Sequence, residues 1–353
     1  MTSIPTPMIP LQAYSDPRRA ALLSWLQNDR EMPLLSLEPA SSDASFRRYF
    51  RATTGERDWI AMDAPPERED VRPFLHVARL FAAAGVHAPR IHAQNLEQGF
   101  LLLDDFGNTR YLDALDAAGA DADALYGDAL DMLLRIQRGV PILGSALPAY
   151  DAALLHREIE LFRDWFLQKL LALPLDTATH GLLDEVWRTL IDSALAQPQV
   201  CVHRDYHSRN LMVTAAPNPG VLDFQDSVIG PITYDLVSLL RDCYIAWPQE
   251  QVENWALQHA ERLRSAGLLS HVDDALFLRW FDLMGIQRHL KAIGIFSRLW
   301  LRDGKPGYLA DIPRTLEYVT SVGRRYAESR PFVDFIERAV LPLLDDALNA
   351  AVS

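Results

Sequence analysis

The sequence predicts an α+β protein of two lobes: a small lobe built on an antiparallel sheet and a larger, mainly helical lobe. Alternating apolar residues and turn residues prevail up to about residue 104, whereas the hydrophobic period of α-helices prevails from there to the C-terminus. With 353 residues, the chain also exceeds the size that one hydrophobic core usually organises. We therefore expect an N-terminal lobe over residues 1–104 and a C-terminal lobe over residues 105–353.

The N-terminal lobe is predicted to combine two helices with short strands. Asp16 before Pro17 is a typical helix start, and apolar residues continue at helical spacing to Leu26. A second helix is expected over residues 67–84, closed by Gly85 in the left-handed conformation. The predicted strands are 46–51 and 59–62, which form a hairpin, and the short segments 91–95 and 100–103.

The rest of the chain is predicted to be mostly helical, without internal repeats. The polar run Asp104–Asn108 breaks the strand pattern and is expected to act as a hinge. A short apolar helix should begin at Asp235, which is a natural N-cap residue. The long predicted helices are 121–138, 152–171, 181–196, 249–266, 272–292 and 330–350.

The composition is that of a globular protein, with 49% hydrophobic and 23% charged residues. A formal net charge of -13 and the lack of any basic run disfavour a nucleic-acid partner. The two cysteines, Cys201 and Cys243, have no metal-ligand spacing, are expected to be buried and suggest a reducing compartment. Because neither a secretory signal nor an apolar run of about 20 residues is present, we expect a cytoplasmic protein without a membrane segment.

The most informative segment runs from His203 to Asn210. It fits H-R-D-x-x-x-x-N, the pattern of the protein-kinase catalytic loop. Two short apolar runs follow, 211–214 and 220–223, and the turn-rich linker between them predicts a hairpin. Such a hairpin would bring Asn210 and Asp223 side by side at its open end.

These polar residues have the chemistry of a phosphoryl-transfer site. An amide and a carboxylate are oxygen ligands that Mg²⁺ accepts beside water and phosphate, so Asn210 and Asp223 are predicted to hold magnesium under ATP. Asp205 is predicted to accept the proton of the attacking hydroxyl, where position and charge matter more than basicity. Each residue alone could cap a turn or end a strand, but their joint spacing favours catalysis.

Further features resemble the aminoglycoside phosphotransferase and choline kinase superfamily, which has a protein-kinase-like fold. His207 follows Asp205 as in the H-G-D-x-H-x-x-N loop of that superfamily, although Arg204 replaces the glycine. Only about a dozen residues lead from Asp223 to the segment Gly230–Asp235, too few for the peptide platform of protein kinases. A small-molecule acceptor is therefore expected.

Within that superfamily the chain resembles the anomeric kinases of N-acetylmuramate and N-acetylglucosamine, from about residue 40 to 320. The resemblance implies transfer of the ATP γ-phosphate to the sugar C1 hydroxyl, which gives an α-1-phosphate for peptidoglycan recycling. Separately from this resemblance, we expect the protein to be a monomer. The segments that carry the resemblance are 61–66, 203–210, 223–227, 230–235 and 287–291.

One departure from kinase-like enzymes concerns the nucleotide site. Such enzymes carry an A-x-K strand whose lysine pairs the α and β phosphates, but the corresponding residues here are Ala61-Met62-Asp63, with an aspartate at the lysine position. Arg47 and Arg48 are the predicted replacements for phosphate contact, the alternative being exposed charges on a strand. Ala61, and Asp104 at the start of the hinge, complete the predicted ATP-binding set.

The predicted acceptor site depends mainly on one helix. Gln287 and Lys291 are four residues apart on one helix face with Arg288 beside them, and they form either a sugar-binding wall or a solvated surface. Arg209 could reach the transferred phosphate or form a surface ion pair. Asp226 is a weaker substrate-binding candidate.

Two residues are expected to hold the catalytic loop without contacting the substrate. His203 is predicted to hold the catalytic loop rather than to act as a base, because Asp205 already fills that role. Asp235, besides its expected capping role, is predicted to brace the same loop.

Other functions stay open at this point. An aminoglycoside, a choline-like amine or homoserine could be the acceptor, and an acidic pocket would favour such cations. An N-acetyl sugar needs hydrogen bonds and, for muramate, a cation near its lactyl carboxylate, which Arg288 or Lys291 could supply. A non-catalytic nucleotide-binding protein is the remaining alternative, although the intact motif argues against it.

Overall fold

The computed structural model describes residues 16–42 and 46–352 of the chain, which form two units. The first unit takes the described residues up to Thr109 together with the segment Met212–Asp226. The second takes Arg110–Leu211 and the described residues from Ser227 onward. This division differs from the single lobe boundary at residue 104, which stays a prediction.

The first unit contains a five-stranded antiparallel sheet and two helices. Its elements are α1 (Pro17–Ser24, continued by a π-helical turn at Trp25–Asp29), β1 (Leu34–Ser42), β2 (Arg48–Thr54), β3 (Asp58–Asp63), α2 (Arg72–Ala83), β4 (Ile91–Asn95) and β5 (Phe100–Asp104). The strands pair in the order β1-β2-β3-β5-β4. All four strands predicted in this part of the chain are present, although part of the predicted strand 46–51 precedes the start of β2 at Arg48.

Helix α1 begins as predicted. The Asp16 side chain accepts hydrogen bonds from the backbone N–H groups of Arg18 at 2.9 Å and Arg19 at 3.3 Å, which is the expected N-cap. Helix α2 begins at Arg72, later than predicted, because Pro73 has the fixed φ of a first helical turn. Gly85, just after α2, has a φ of 71° and so the left-handed conformation predicted for it.

Strand β1 is not predicted by the sequence pattern, because Pro39 lies within it and argues against a strand. The structure places β1 at the edge of the sheet, where a proline removes no ladder hydrogen bond from a second neighbour. The pairing with β2 also shifts between Pro39 and Ser41, as at a β-bulge.

The second unit is mainly helical. Its helices are α3 (Tyr111–Leu115), α4 (Ala122–Gly139), α5 (Ala152–Leu161, continued by a π-helix at Phe162–Leu170), α6 (Thr177–Leu195), α7 (Tyr234–Leu240), α8 (Gln249–Ser265), α9 (Asp274–Asp303), α10 (Ile312–Gly323), α11 (Arg330–Phe335, followed by a π-helical turn at Ile336–Val340) and α12 (Leu341–Val352). Strands β6 (Gln199–Val202) and β9 (Val228–Pro231) pair antiparallel. Short strands β7 (Leu211–Met212) and β8 (Gly220–Val221) form the predicted hairpin, which apart from Leu211 belongs to the first unit.

The long helix α9 runs through the core of the second unit. It continues beyond the predicted end at residue 292 to Asp303, where Gly304 ends it with a φ of 64°. At Gly294 an added Cβ would lie 2.3 Å from the backbone carbonyl carbon of Leu161, so glycine permits a close approach of α9 to α5. The arrangement confirms the predicted α+β class.

Both cysteines are buried, as predicted. In the part of the chain that the structure describes, no helix is both long enough and apolar enough to cross a bilayer.

Candidate active site

The predicted catalytic loop, residues 203–210, follows β6 and is held by a buried carboxylate. Asp235, in the first turn of α7, accepts backbone N–H bonds from His203 at 2.6 Å and from Arg204 at 2.9 Å. Arg204 has a φ of 80°, a conformation that glycine adopts without strain but that costs free energy in other residues. Asp235 therefore braces the loop where the backbone needs support. The expected capping role is wrong, because Thr233 has the N-cap position and the Asp235 carboxylate is turned toward the loop.

Asp205 and Asp235 have opposite electrostatic environments. Burial opposes the ionisation of Asp205, but nearby positive charge outweighs it and holds the pKa of Asp205 below its ordinary value. Burial raises the pKa of Asp235 to about 7, despite the two N–H donors. Asp205 is therefore ionised at neutral pH, as a proton acceptor must be. The groups that lower its pKa are, in decreasing order, Lys291, His207, Arg204 and Arg288, of which His207 has its own pKa lowered by burial.

Two side chains of the loop bond back to its own backbone. The buried His203 accepts the backbone N–H of Asp205 through Nδ1 at 3.3 Å, which fits the predicted loop-holding role rather than that of a base. Asn210 donates from Nδ2 to the backbone carbonyl of Asp205 at 3.0 Å. That bond orients the amide of Asn210, so that Oδ1 is the atom with which it could bind a cation.

A buried carboxylate that sequence reasoning missed lies at the centre of an ion network. Glu158 on α5 lies 3.0 Å from Lys291 Nζ and also accepts from Arg204 Nη2 and the Tyr150 hydroxyl. Lys291 Nζ further donates to the Tyr234 hydroxyl at 3.0 Å. Burial opposes the charge of Glu158, but Lys291 and Arg204 keep its pKa below the ordinary value. The signal in the sequence was a charged residue on the apolar face of a predicted helix.

The predicted acceptor-binding residues of α9 are buried rather than solvated. The exposed fractions are 0% for Gln287, 6% for Arg288 and 7% for Lys291, so the alternative of a solvent-facing surface is wrong. Neither amide atom of Gln287 has a hydrogen-bond partner among the described residues. Arg288 Nη1 donates only a long bond, 3.7 Å, to the Cys243 thiol. Gln287 and Arg288 thus have hydrogen-bonding groups without partners among the described protein groups.

The end of the catalytic loop is fixed by Asp242, which the sequence offers only as a weak candidate for contact with the substrate. Its carboxylate accepts from the Ser208 backbone N–H at 2.9 Å and from the Ser208 hydroxyl at 2.5 Å. The next residue, Arg209, lies with its guanidinium carbon 3.5 Å from the centre of the Tyr244 ring. Among the described residues Arg209 forms no ion pair, so the alternative of a surface ion pair is not observed.

In the first unit, Asp223 lies in a polar cluster of its own. It has a φ of 61°, and its Oδ1 accepts from Gln225 Nε2 at 2.8 Å and lies 3.5 Å from Arg47 Nη2. The same amide nitrogen of Gln225 donates to Asp226 at 3.2 Å. The Gln225 Oε1 atom is buried without a partner among the described residues. The predicted phosphate-binding Arg47 is thus near a predicted magnesium ligand of its own unit.

The donor types in these two clusters fit a hard cation. They offer carboxylate and amide oxygens, which Mg²⁺ accepts together with water and phosphate oxygens. Within residues 16–42 and 46–352, no group of three or more His, Cys, Asp or Glu residues could enclose a metal ion. Mg²⁺ bound with a nucleotide takes only one or two protein ligands, so these donor types are compatible with it.

Asp63, which has the position of the usual lysine, is fully buried and neutralised by arginines. Its Oδ2 accepts from Arg48 Nε at 3.1 Å and Nη2 at 2.5 Å, and its Oδ1 accepts from Arg18 Nε at 3.0 Å. Arg48 also pairs with Asp16. Of the two predicted phosphate-binding arginines, Arg48 is therefore engaged by two carboxylates, whereas Arg47 contacts Asp223.

The other predicted nucleotide positions lie in the same sheet. Ala61 is fully buried in β3 between its ladder partners Phe50 and Leu102. Asp104, at the end of β5, accepts from the Arg90 backbone N–H at 3.2 Å and lies 2.7 Å from His92 Nε2. Their roles in ATP binding stay predictions.

Comparison with known proteins assigns the chain to a family. The model of the "phosphotransferase enzyme family" matches residues 36–271. A protein of Pseudomonas putida named N-acetylmuramate/N-acetylglucosamine kinase is 52% identical over 296 residues, which cover 84% of this chain and 86% of that protein. A Neisseria meningitidis protein of the same name is 44% identical over 319 residues, which cover 89% and 93% of the two chains.

Solved structures of low sequence identity share the fold. An ADP-bound aminoglycoside phosphotransferase, APH(2'')-Ib, aligns with a TM-score of 0.58 at 13% identity, over 86% of this chain and 98% of that one. Choline kinase LicA from Streptococcus pneumoniae aligns with a TM-score of 0.59 at 12% identity, over 85% and 98%. The predicted protein-kinase-like fold is thereby confirmed. The chain belongs to the phosphotransferase enzyme family.

Proposed function

We propose that this chain is an ATP-dependent sugar kinase that transfers the γ-phosphate to the anomeric hydroxyl of N-acetylmuramate and N-acetylglucosamine. The product would be the α-1-phosphate, formed in the cytoplasm during peptidoglycan recycling. The names of relatives that are 44% and 52% identical along most of their length support these two acceptors. The anomeric position rests on the motif resemblance and on the chemistry of the base.

The observation that carries the proposal is the charge around Asp205. An ionised carboxylate lies among positive groups, of which Lys291 and Arg288 are on one buried stretch of α9. Because Arg288 has no ion-pair partner among the described residues, such surroundings suit a neutral or anionic acceptor and oppose a cationic one. Aminoglycosides and choline-like amines are cations, so the site favours the sugars over them.

In the proposed mechanism Asp205 accepts the proton of the attacking hydroxyl. The anomeric hydroxyl is more acidic than the other hydroxyls of a sugar, and it therefore suits a carboxylate whose pKa lies below its ordinary value. Asp235 and His203 hold the loop backbone, and so keep the Asp205 carboxylate in position. Gln287, with an unused amide, is proposed to hydrogen-bond the sugar.

The proposed ATP and magnesium ligands follow from the residue types. Asn210 and Asp223 would hold Mg²⁺, which neutralises charge on the phosphates, and Arg47 would contact a phosphate. Arg209, whose guanidinium forms no ion pair within the described residues, is proposed to approach the transferred phosphate. Asp226, exposed beside this cluster, is proposed as a weaker contact to the substrate.

The experiment that tests the proposal compares free sugars with their 1-O-methyl glycosides in a coupled ATP-turnover assay. The free sugars should be phosphorylated, and the methyl glycosides, which keep every other hydroxyl, should at best inhibit. Phosphorus NMR of the product should show coupling to H1 with the α configuration. Phosphorylation of the methyl glycosides, or phosphate on C6, would contradict the anomeric assignment but not the kinase activity.

A further inference from the structure

Three buried or partly buried cations near Asp205 differ in how they are neutralised. Lys291 and Arg204 share the carboxylate of Glu158, and the side chains of Lys291 and Glu158 are 9% and 10% exposed. Arg288 forms no ion pair with any described residue, although it is only 6% exposed. Its one hydrogen bond goes to a thiol, which is a weak acceptor.

A buried guanidinium without a counter-charge is costly and is therefore usually paired. The side chain at Arg288 offers five N–H donors in a rigid planar fork, which matches the two oxygens of a carboxylate. The neighbouring Gln287 likewise has an unused amide. Asp242 and Asp205 act on the charge of Arg288 without forming an ion pair with it, so its guanidinium and the Gln287 amide can still hydrogen-bond an anionic ligand.

We propose that Arg288 binds the lactyl carboxylate of N-acetylmuramate and so sets the preference between the two sugars. This inference rests on the proposed function. The lactyl ether is attached at C3, two ring carbons from the reacting C1, so its carboxylate falls near, but not at, the base. Arg288 contacts Cys243, whose neighbour Asp242 bonds Ser208 of the catalytic loop, so Arg288 lies close to that loop without an ion pair to Asp205.

Lys291 is the less suitable receptor. Its ammonium group is already neutralised by Glu158 at 3.0 Å and bonded to the Tyr234 hydroxyl at 3.0 Å. A second carboxylate beside it would meet the negative charge of Glu158. The sequence leaves Arg288 and Lys291 as equal candidates, and the pairing in the structure separates them.

The first test measures kcat/KM for both sugars in the wild-type protein and in Arg288→Gln. The loss of a charge-assisted hydrogen bond should lower kcat/KM for N-acetylmuramate by about 10- to 100-fold, and that for N-acetylglucosamine by a much smaller factor. Arg279→Gln is the matched control, because it removes a guanidinium from the same helix where that group pairs with Glu328 at the surface. The control should leave the ratio of the two kcat/KM values unchanged.

The second test needs no variant and so does not depend on how Arg288→Gln folds. The methyl ester of the lactyl carboxylate keeps the shape of N-acetylmuramate but removes its charge. Wild-type protein should use the ester about 10- to 100-fold less efficiently than the acid, and Arg288→Gln should reduce this difference to less than about threefold.

Each contrary result has a distinct meaning. Equal losses for both sugars, with a raised KM for ATP, would overturn the inference and assign Arg288 to a phosphate instead. Equal use of acid and ester by the wild-type protein would overturn it as well. In both cases the proposed kinase function stands. Turnover of neither sugar by the wild-type protein would overturn the function and the inference together.

Discussion

At the scale of residues, the site depends on two aspartates with opposite tasks. Asp235 is buried and gives both carboxylate oxygens to the loop backbone, and burial raises its pKa to about 7. Asp205 faces positive groups that lower its pKa. One carboxylate therefore fixes the backbone, while the other keeps the charge that the proposed proton transfer needs. The sequence motif predicts the position of Asp205. The burial of Asp235 cannot be predicted from the motif, because it depends on how the chain folds.

The first prediction tests Asp205 as the base. Asp205→Asn should lower kcat for N-acetylglucosamine by about 100-fold or more, with the Kd for ATP nearly unchanged, because the amide keeps the shape but cannot accept the proton. Since the pKa of Asp205 is lowered, the carboxylate is charged at both pH 6 and pH 8, and the ratio of wild-type to variant kcat should be equal at the two values.

The control for this experiment is Asp131→Asn, which changes an aspartate of the same unit whose side chain is 65% exposed. It should leave kcat unchanged. A wild-type to variant ratio for Asp205→Asn that shrinks markedly at pH 6 would mean that the base loses its charge there, and near-normal turnover would remove Asp205 from the mechanism.

At the scale of elements, the hydrophobic periodicity of the sequence predicts most helices and strands. It does not predict elements whose formation depends on contacts with residues far along the chain. The helix α9 and the strands β2 to β5 have periodicities that the chain shows by itself. Strand β1 is hidden by Pro39, which only its edge position permits. The sequence pattern likewise does not predict helix α10. Pro313 near its start is typical of a helix end, although proline also suits a first helical turn.

The ladder between β2 and β3 shows what Asp63, at the position of the usual lysine, does in this chain. Arg48 and Asp63 are direct partners in this ladder, and Arg18 completes the neutralisation of the buried carboxylate. Asp63 therefore stabilises the first unit by binding two arginines. One of them, Arg48, is consequently less available for a phosphate. We therefore expect Arg48 to stabilise the fold and Arg47 to contact ATP.

The second prediction compares these two arginines as single alanine variants. Arg48→Ala should lower the free energy of unfolding by about 1–2 kcal/mol, because the buried Asp63 loses hydrogen bonds while Arg18 remains. Arg47→Ala should instead raise the KM for ATP several-fold with little loss of stability, since Arg47 contacts Asp223 and not Asp63. Urea unfolding and ATP kinetics of both variants measure the two effects, and each variant is the control for the other. Interchanged effects would contradict this division of roles.

At the scale of the whole molecule, the net charge does not reveal which charged groups act on Asp205. The chain carries a net charge of -13, yet positive groups surround Asp205. Composition alone therefore misleads about the acceptor, since an acidic protein suggests a cationic ligand. The linear motif from His203 to Asn210 predicts where the chemistry lies. The network around Glu158 could not be predicted, because it joins α5 to residues far along the chain.

The last prediction concerns acceptor choice, which this local charge decides. N-acetylglucosamine and glucosamine form a matched pair, because they differ at C2 by an acetamido group that is neutral and an amine that is protonated below its pKa. With like charge opposing the cation, kcat/KM for protonated glucosamine, for choline and for kanamycin should be at least about 100-fold below that for N-acetylglucosamine. Raising the pH until the amine of glucosamine is neutral should recover part of the loss for that sugar, whereas choline, whose charge is permanent, should not recover. Coupled ATP-turnover assays across this panel measure both effects. Choline or kanamycin turning over as well as the N-acetyl sugars would show that the positive groups around Asp205 do not select the acceptor.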